Sequence, residues 1–201
     1  MRLLELFQQS QKKPIKEGGN IKLPTGETPD DLNLTVTQRS YIVPILDKLM
    51  TDINALYQGK FKEPLWSPKV LASKKFLSGS STHFFNVANI PDEQFVRVKP
   101  KVGDIDTQVD VNKSDNLKEF LDSIQGQDLG DAKLLGYKPG NQQFSSLWQL
   151  NEPPIKIQID LEFVDYEKDE PTAWSQFSHS SSWEDIQAGV KGVFHKFLIS
   201  S

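Results

Sequence analysis

The chain contains no cysteine, which excludes a disulfide framework, a thiolate zinc centre, an iron–sulfur cluster and a cysteine nucleophile. It has no apolar run approaching the roughly 18 residues that a membrane-spanning helix needs. The opening Met1-Arg2-Leu3-Leu4-Glu5-Leu6-Phe7 is too short and too charged for a signal-peptide core. Positive charge is not in excess: Lys and Arg total 23 against 27 for Asp and Glu, a net charge of -4, so the molecule is no general electrostatic trap for nucleic acid. Gly-Lys-Ser/Thr and Gly-x-Ser-x-Gly are both missing, which sets aside a P-loop and a serine-hydrolase elbow. The expectation is a cytoplasmic chain without a membrane partner.

What remains is ordinary globular material. At 201 residues and 37% hydrophobic, the chain is long enough to bury a core without staples, and one domain is the default. Residues 8–31 collect Lys, Gly, Pro and polar side chains, the composition of a loosely held arm. Apolar positions at Ile42, Ile45, Leu46, Leu49, Ile53, Leu56 and Tyr57 then recur at helical spacing. Thr35 or Thr37 is the expected cap and Gly59 the expected stop, and Pro44 marks either the start of this helix or a kink in it. The arm and helix (1–60) form an N-terminal lead-in to a core over 61–201.

Ser67-Pro68 reads as a cap and first helical residue of a short helix ending near Ser73, before Phe76-Leu77 and the small-residue turn Gly79-Ser80-Ser81. Between Phe95 and Val111 the period changes to two: Val102, Val109, Val111 and, shifted, Ile105 are apolar, with Asp104, Asp106, Gln108 and Asp110 opposite. Ser114 is the expected cap of a helix carrying Leu117, Phe120, Leu121 and Ile124, closed by Gly126. Residues 132–137 and 144–150 flank Lys138-Pro139-Gly140-Asn141 as a hairpin. The clearest strand follows: Ile155, Ile157, Ile159, Leu161 and Phe163 on an inner face, Lys156, Gln158, Asp160 and Glu162 on an outer one. Ser181 with Glu184 opens a final helix striped by Ile186, Val190, Val193, Phe194, Phe197 and Leu198.

Chemistry concentrates at three places. Two carboxylates at i and i+2 on a strand point the same way, and their repulsion is relieved by a cation. Asp104 and Asp106 have that spacing, and Asp160 supplies a third acid on another alternating strand. Hard oxygen ligands suit Mg2+, with Mn2+ as a substitute, and such ions clamp phosphoryl oxygens in an in-line displacement. A strand ending in Gly79-Ser80-Ser81 and opening a helix offers N–H groups and hydroxyls to a triphosphate. Lys191, beside His195 and Lys196 on the last helix, is the basic side chain placed to meet phosphate. The bland alternatives are a solvated acidic strand face, a plain turn and a solvated lysine face. Asp104, Asp106 and Asp110 lack the glycine and glutamate that a calcium loop requires.

Gly79-Ser80, then Gly103-Asp104-Ile105-Asp106, then Ile159-Asp160-Leu161 in that order resemble the DNA polymerase beta-like nucleotidyltransferase superfamily over residues 65–199. The resemblance implies an α/β (α+β) nucleotidyltransferase fold: a small mixed twisted sheet bearing the acids on one face, with helices packed on the other. It implies a nucleoside triphosphate, ATP among the candidates, held by Gly79, Ser80 and Ser81; Lys191 joins that set from the reading of the last helix and not from the resemblance. Mg2+ would be bound by Asp104, Asp106 and Asp160, and pyrophosphate would leave on transfer to an acceptor hydroxyl. RNA, DNA, a protein or a small molecule remain open as acceptor. The gap between Gly79 and Asp104 exceeds that of the compact family members, making 86–101 an insertion. The rival reading is a catalytically silent member serving as a binding or interaction module.

Overall fold

The computed structural model describes residues 21–30, 32–33, 36–79, 81–85 and 101–172. The elements in chain order are β1 (Leu32–Asn33), α1 (Val36–Phe61), α2 (Pro68–Ser73), α3 (Ser81–Phe84), β2 (Lys101–Val102), β3 (Asp104–Asp110), a 3-10 turn (Val111–Lys113) and α4 (Ser114–Ile124). There follow β4 (Ala132–Pro139), β5 (Gln143–Leu150), β6 (Lys156–Val164), β7 (Tyr166–Glu167) and β8 (Glu170–Pro171). The fold is mixed α+β, built on one four-stranded mixed sheet in the order β3-β6-β5-β4. β3 runs parallel to β6, while β6, β5 and β4 are mutually antiparallel.

One sheet face is the main core. Ile105 and Val109 of β3, Ile157, Ile159 and Leu161 of β6, and Trp148 of β5 join Ile42, Leu46, Leu49, Met50, Ile53 and Tyr57 of α1. Leu117, Phe120, Leu121 and Ile124 of α4 complete it. The helical lead-in therefore shares its core with the sheet. α2 begins as its sequence indicates, with Ser67 Oγ accepting the Val70 N–H at 3.4 Å and Pro68 in the first turn.

Several local expectations give way to tertiary packing. Pro44 neither starts nor ends α1, which runs 26 residues through it; buried residues on both sides, from Ile42 to Tyr57, outweigh the ~3 kcal/mol that an internal proline costs. Gly59 is not the stop: the helix continues to Phe61, whose ring packs on Tyr57 at 4.8 Å, and ends at Lys62 with a φ of 65°. Ser114 does not cap α4. Lys113 precedes the helix without a side-chain cap, and the capping carboxylate is Asp110, which accepts the Asn112 N–H at 2.9 Å in the 3-10 turn. Val111 lies in that turn and is exposed.

The expected inside-and-outside division of the two acidic strands also fails. Gln108, Gln158 and Asp160 are as buried as their apolar neighbours, because the second face of the sheet is covered as well. Part of that cover is the arm: residues 21–30 are not loose, since Ile21 and Leu23 are buried with Leu147, and Leu135 packs against them. The hairpin stands as read, with β4 reaching Pro139. The final helix from Ser181 lies outside the described residues, as do positions 86–100 of the insertion. Among the described residues no helix is long and apolar enough to cross a membrane.

Candidate functional site

The register of the sheet assembles the site in rows. Asp106 of β3 stands directly opposite Asp160 of β6, which in turn faces Ser145 of β5. One row away, Asp104, Gln158, Leu147 and Gly136 line up across all four strands, and on the other side Gln108, Glu162 and Gln143 line up across β3, β6 and β5. Side chains of directly opposed residues share a face, so all three candidate aspartates emerge together. One carboxylate oxygen from each of Asp104, Asp106 and Asp160 lies within 4.8 Å of the others.

The Gly79 turn is pressed onto this cluster. Ser78 donates its backbone N–H to the Asp106 carbonyl at 3.1 Å and its hydroxyl to Glu162 Oε2 at 2.8 Å. Asp106 in turn donates its N–H to Ser81 Oγ at 2.7 Å, and Leu77 pairs with Thr107. Gly79 has a φ of 55°, and a Cβ there would strike Asp106 Oδ2. Gly79→Ala therefore meets two obstacles, a left-handed backbone costing an L residue about 1–2 kcal/mol and the displacement of an Asp106 carboxylate. Urea denaturation should show a loss of at least that size; a neutral substitution would contradict this packing.

Asp160 is the most enclosed of the three, 5% exposed. Its Oδ2 accepts from Gln143 Nε2 at 3.0 Å and its Oδ1 from Gln158 Nε2 at 2.8 Å. Burial is the main reason its carboxyl is pushed up to about 6; Gln158 and Ser145 act the other way, and the neighbouring Asp104 and Glu162 charges add to the rise. The sign follows from linkage. A carboxyl with a raised folded pKa binds a proton more readily folded than unfolded, so metal-free stability falls as pH rises from about 4 to about 6. An NMR titration of the metal-free protein should show the Asp160 carboxyl midpoint near 6, and a midpoint below 4 would contradict the burial assigned to it.

Of the seven sequence-derived site residues, Gly79, Ser81, Asp104, Asp106 and Asp160 are brought together. Ser81 is buried, and its Oγ accepts the Asp106 N–H. Ser80 and Lys191 lie outside the described residues. Gln143 is not among the residues that the sequence singles out, whereas Ser78 falls within the turn that it does, and Gln158 and Glu162 on the outer face of β6. Gln158 and Glu162 were signalled only by their two-residue spacing from Asp160, and Gln143 only by its place across the hairpin.

Comparison with protein-family models, curated proteins and solved structures gives no significant match.

Proposed function

We propose that this chain is a metal-dependent nucleotidyltransferase, transferring a nucleoside monophosphate from a nucleoside triphosphate to an acceptor hydroxyl, on a nucleotidyltransferase-type fold. The observation that carries the reading is the convergence of Asp104, Asp106 and Asp160 from two adjacent parallel strands, with the Gly79 turn seated on Asp106. The donor set fits a hard divalent cation: three carboxylates, no nitrogen or sulfur among them, grouped at a spacing at which their mutual repulsion is relieved by positive charge. Asp104, Asp106 and Asp160 would hold Mg2+, which would supply electrostatic stabilisation to the phosphoryl oxygens. Asp160, with both oxygens oriented by glutamine amides, is the group placed to take the proton of the acceptor hydroxyl. The hydroxyl oxygen bonds to the α-phosphorus, and the bond to the bridging oxygen breaks to release pyrophosphate.

One observation favours the silent binding module instead: each Asp160 oxygen already accepts an amide N–H, so this acid is satisfied without any cation. Pyrophosphate release decides between them. The four nucleoside triphosphates are offered with Mg2+ and with Mn2+; metal-dependent release from at least one supports the enzyme. Triphosphate binding without turnover, across all acceptors tried, supports the module, and the absence of both binding and turnover removes the nucleotide from either reading.

A further inference from the structure

Residues 21–30 form a strap over the sheet face that carries the acids. One end is fastened at the start of β6: the Asp30 N–H donates to the Lys156 carbonyl at 2.9 Å, the Lys156 N–H donates to Asp30 Oδ2 at 2.8 Å, and Glu27 pairs with the Lys156 ammonium at 3.5 Å. The other end is apolar. Ile21 and Leu23 are buried with Leu147, and both Leu23 methyls lie 3.1 Å from the place a Cβ on Gly136 would take.

This apolar end reaches the acids through one side chain. The Ile21 N–H donates to Gln158 Oε1 at 2.9 Å, and Gln158 Nε2 donates to Asp160 Oδ1 at 2.8 Å. Gln158 is 4% exposed. A backbone N–H can only donate, so the amide oxygen has to face Ile21 and the amide NH2 has to face Asp160. The docked strap thereby selects the orientation of the amide that holds the carboxylate. We propose that Gln158 is a positioning residue through which docking of Ile21–Leu23 fixes Asp160, so that the strap and a divalent cation on the acid cluster stabilise one another. The proposal rests on the cluster being a cation site, as above, and not on the transfer reaction.

Release of the strap takes away the partner that orients the Gln158 amide, and with it the fixed donor to Asp160 Oδ1. Linkage makes the effect reciprocal: a cation that needs Asp160 in its present orientation must tighten the strap by the same factor. The outcome is read on the full chain with Mn2+ alone as the probe. Leu23→Asp undocks the strap without touching Gln158 or the acids, and Gln158→Met keeps the side-chain length while removing both hydrogen bonds. Each is expected to weaken Mn2+ about tenfold or more, the range for losing a partner that orients a ligand, and the double variant should bind no worse than Gln158→Met alone. Mn2+ should also slow tryptic cleavage after the exposed Lys22 in the wild type and not in Gln158→Met.

A merely structural role lowers the melting temperature and leaves Mn2+ affinity unmoved. Leu23→Asp that is cut rapidly after Lys22 yet binds Mn2+ like the wild type overturns the coupling, as do losses that add in the double variant. Wild type that binds no Mn2+ overturns the cation site, and the coupling with it. Leu23→Ala serves the same comparison if the aspartate variant does not fold.

Discussion

Asp106→Ala is expected to lower metal-dependent pyrophosphate release on the order of 10³-fold, equivalent to about 4 kcal/mol of transition-state stabilisation, while leaving the metal-free protein equally or more heat-stable. The two halves of this expectation have one cause. Asp106 faces Asp160 across adjacent strands and shares a 4.8 Å cluster with it and Asp104. Like charges at that distance repel one another, and a bound cation would relieve the repulsion. The contacts that hold the local backbone, from Asp106 N–H to Ser81 Oγ and from Ser78 N–H to the Asp106 carbonyl, survive the change. Pyrophosphate release and a thermal melt in chelator check both halves. A variant that melts well below the wild type and loses activity only in proportion would make Asp106 a structural residue.

Trp66→Ala should cost about 3–5 kcal/mol, a large share of the roughly 5–15 kcal/mol that separates a folded domain from its unfolded chain. Trp66 is fully buried. Its ring packs on Phe76 at a centroid distance of 4.6 Å, its backbone N–H donates to Asn54 Oδ1 at 2.8 Å, and its Nε1–H donates to the Gln108 carbonyl at 2.7 Å. The indole therefore ties the Phe76 segment to β3, two residues from Asp106, while the bond to Asn54 of α1 runs through the backbone and survives the change. Gln108 N–H in turn donates to the Phe76 carbonyl at 2.6 Å. Trp66→Phe keeps most of the packing, and Tyr166 Oη still donates to the Gln108 carbonyl at 3.0 Å, so its cost should be nearer 1 kcal/mol. Urea denaturation of both variants is the check; an alanine variant that loses less than the phenylalanine variant would contradict the anchoring assigned to the indole.

The parts of this fold that were legible in the sequence are those governed by neighbours along the chain. The Ile157-Ile159-Leu161 alternation places β6, the Pro139-Gly140 turn places the β4–β5 hairpin, and the Asp104-Ile105-Asp106 spacing puts two carboxylates on one side of β3. Register between strands is what turned that spacing into a site, and no local pattern specifies that Asp106 stands opposite Asp160. Burial of Gln158 was illegible for the same reason: its cover, Ile21, is 137 positions away. Two-residue alternation reports one covered face, and a strap over the second face reverses the meaning of each polar position beneath it. Pro44 and Gly59 misled because local propensity yields to the buried stripe from Ile42 to Tyr57. Gly79 was read correctly as a turn residue, but the closeness of Asp106 to its missing Cβ belongs to tertiary structure alone.

The proposed function stands on three carboxylates holding a divalent cation with a triphosphate beside it. Anomalous diffraction from crystals grown with Mn2+ and a non-hydrolysable nucleoside triphosphate addresses it directly. The expected result is Mn2+ density enclosed by Asp104, Asp106 and Asp160, with phosphate density at the Gly79–Ser81 turn. A triphosphate bound elsewhere, or no Mn2+ peak while Gln143 and Gln158 keep both Asp160 oxygens, would contradict it.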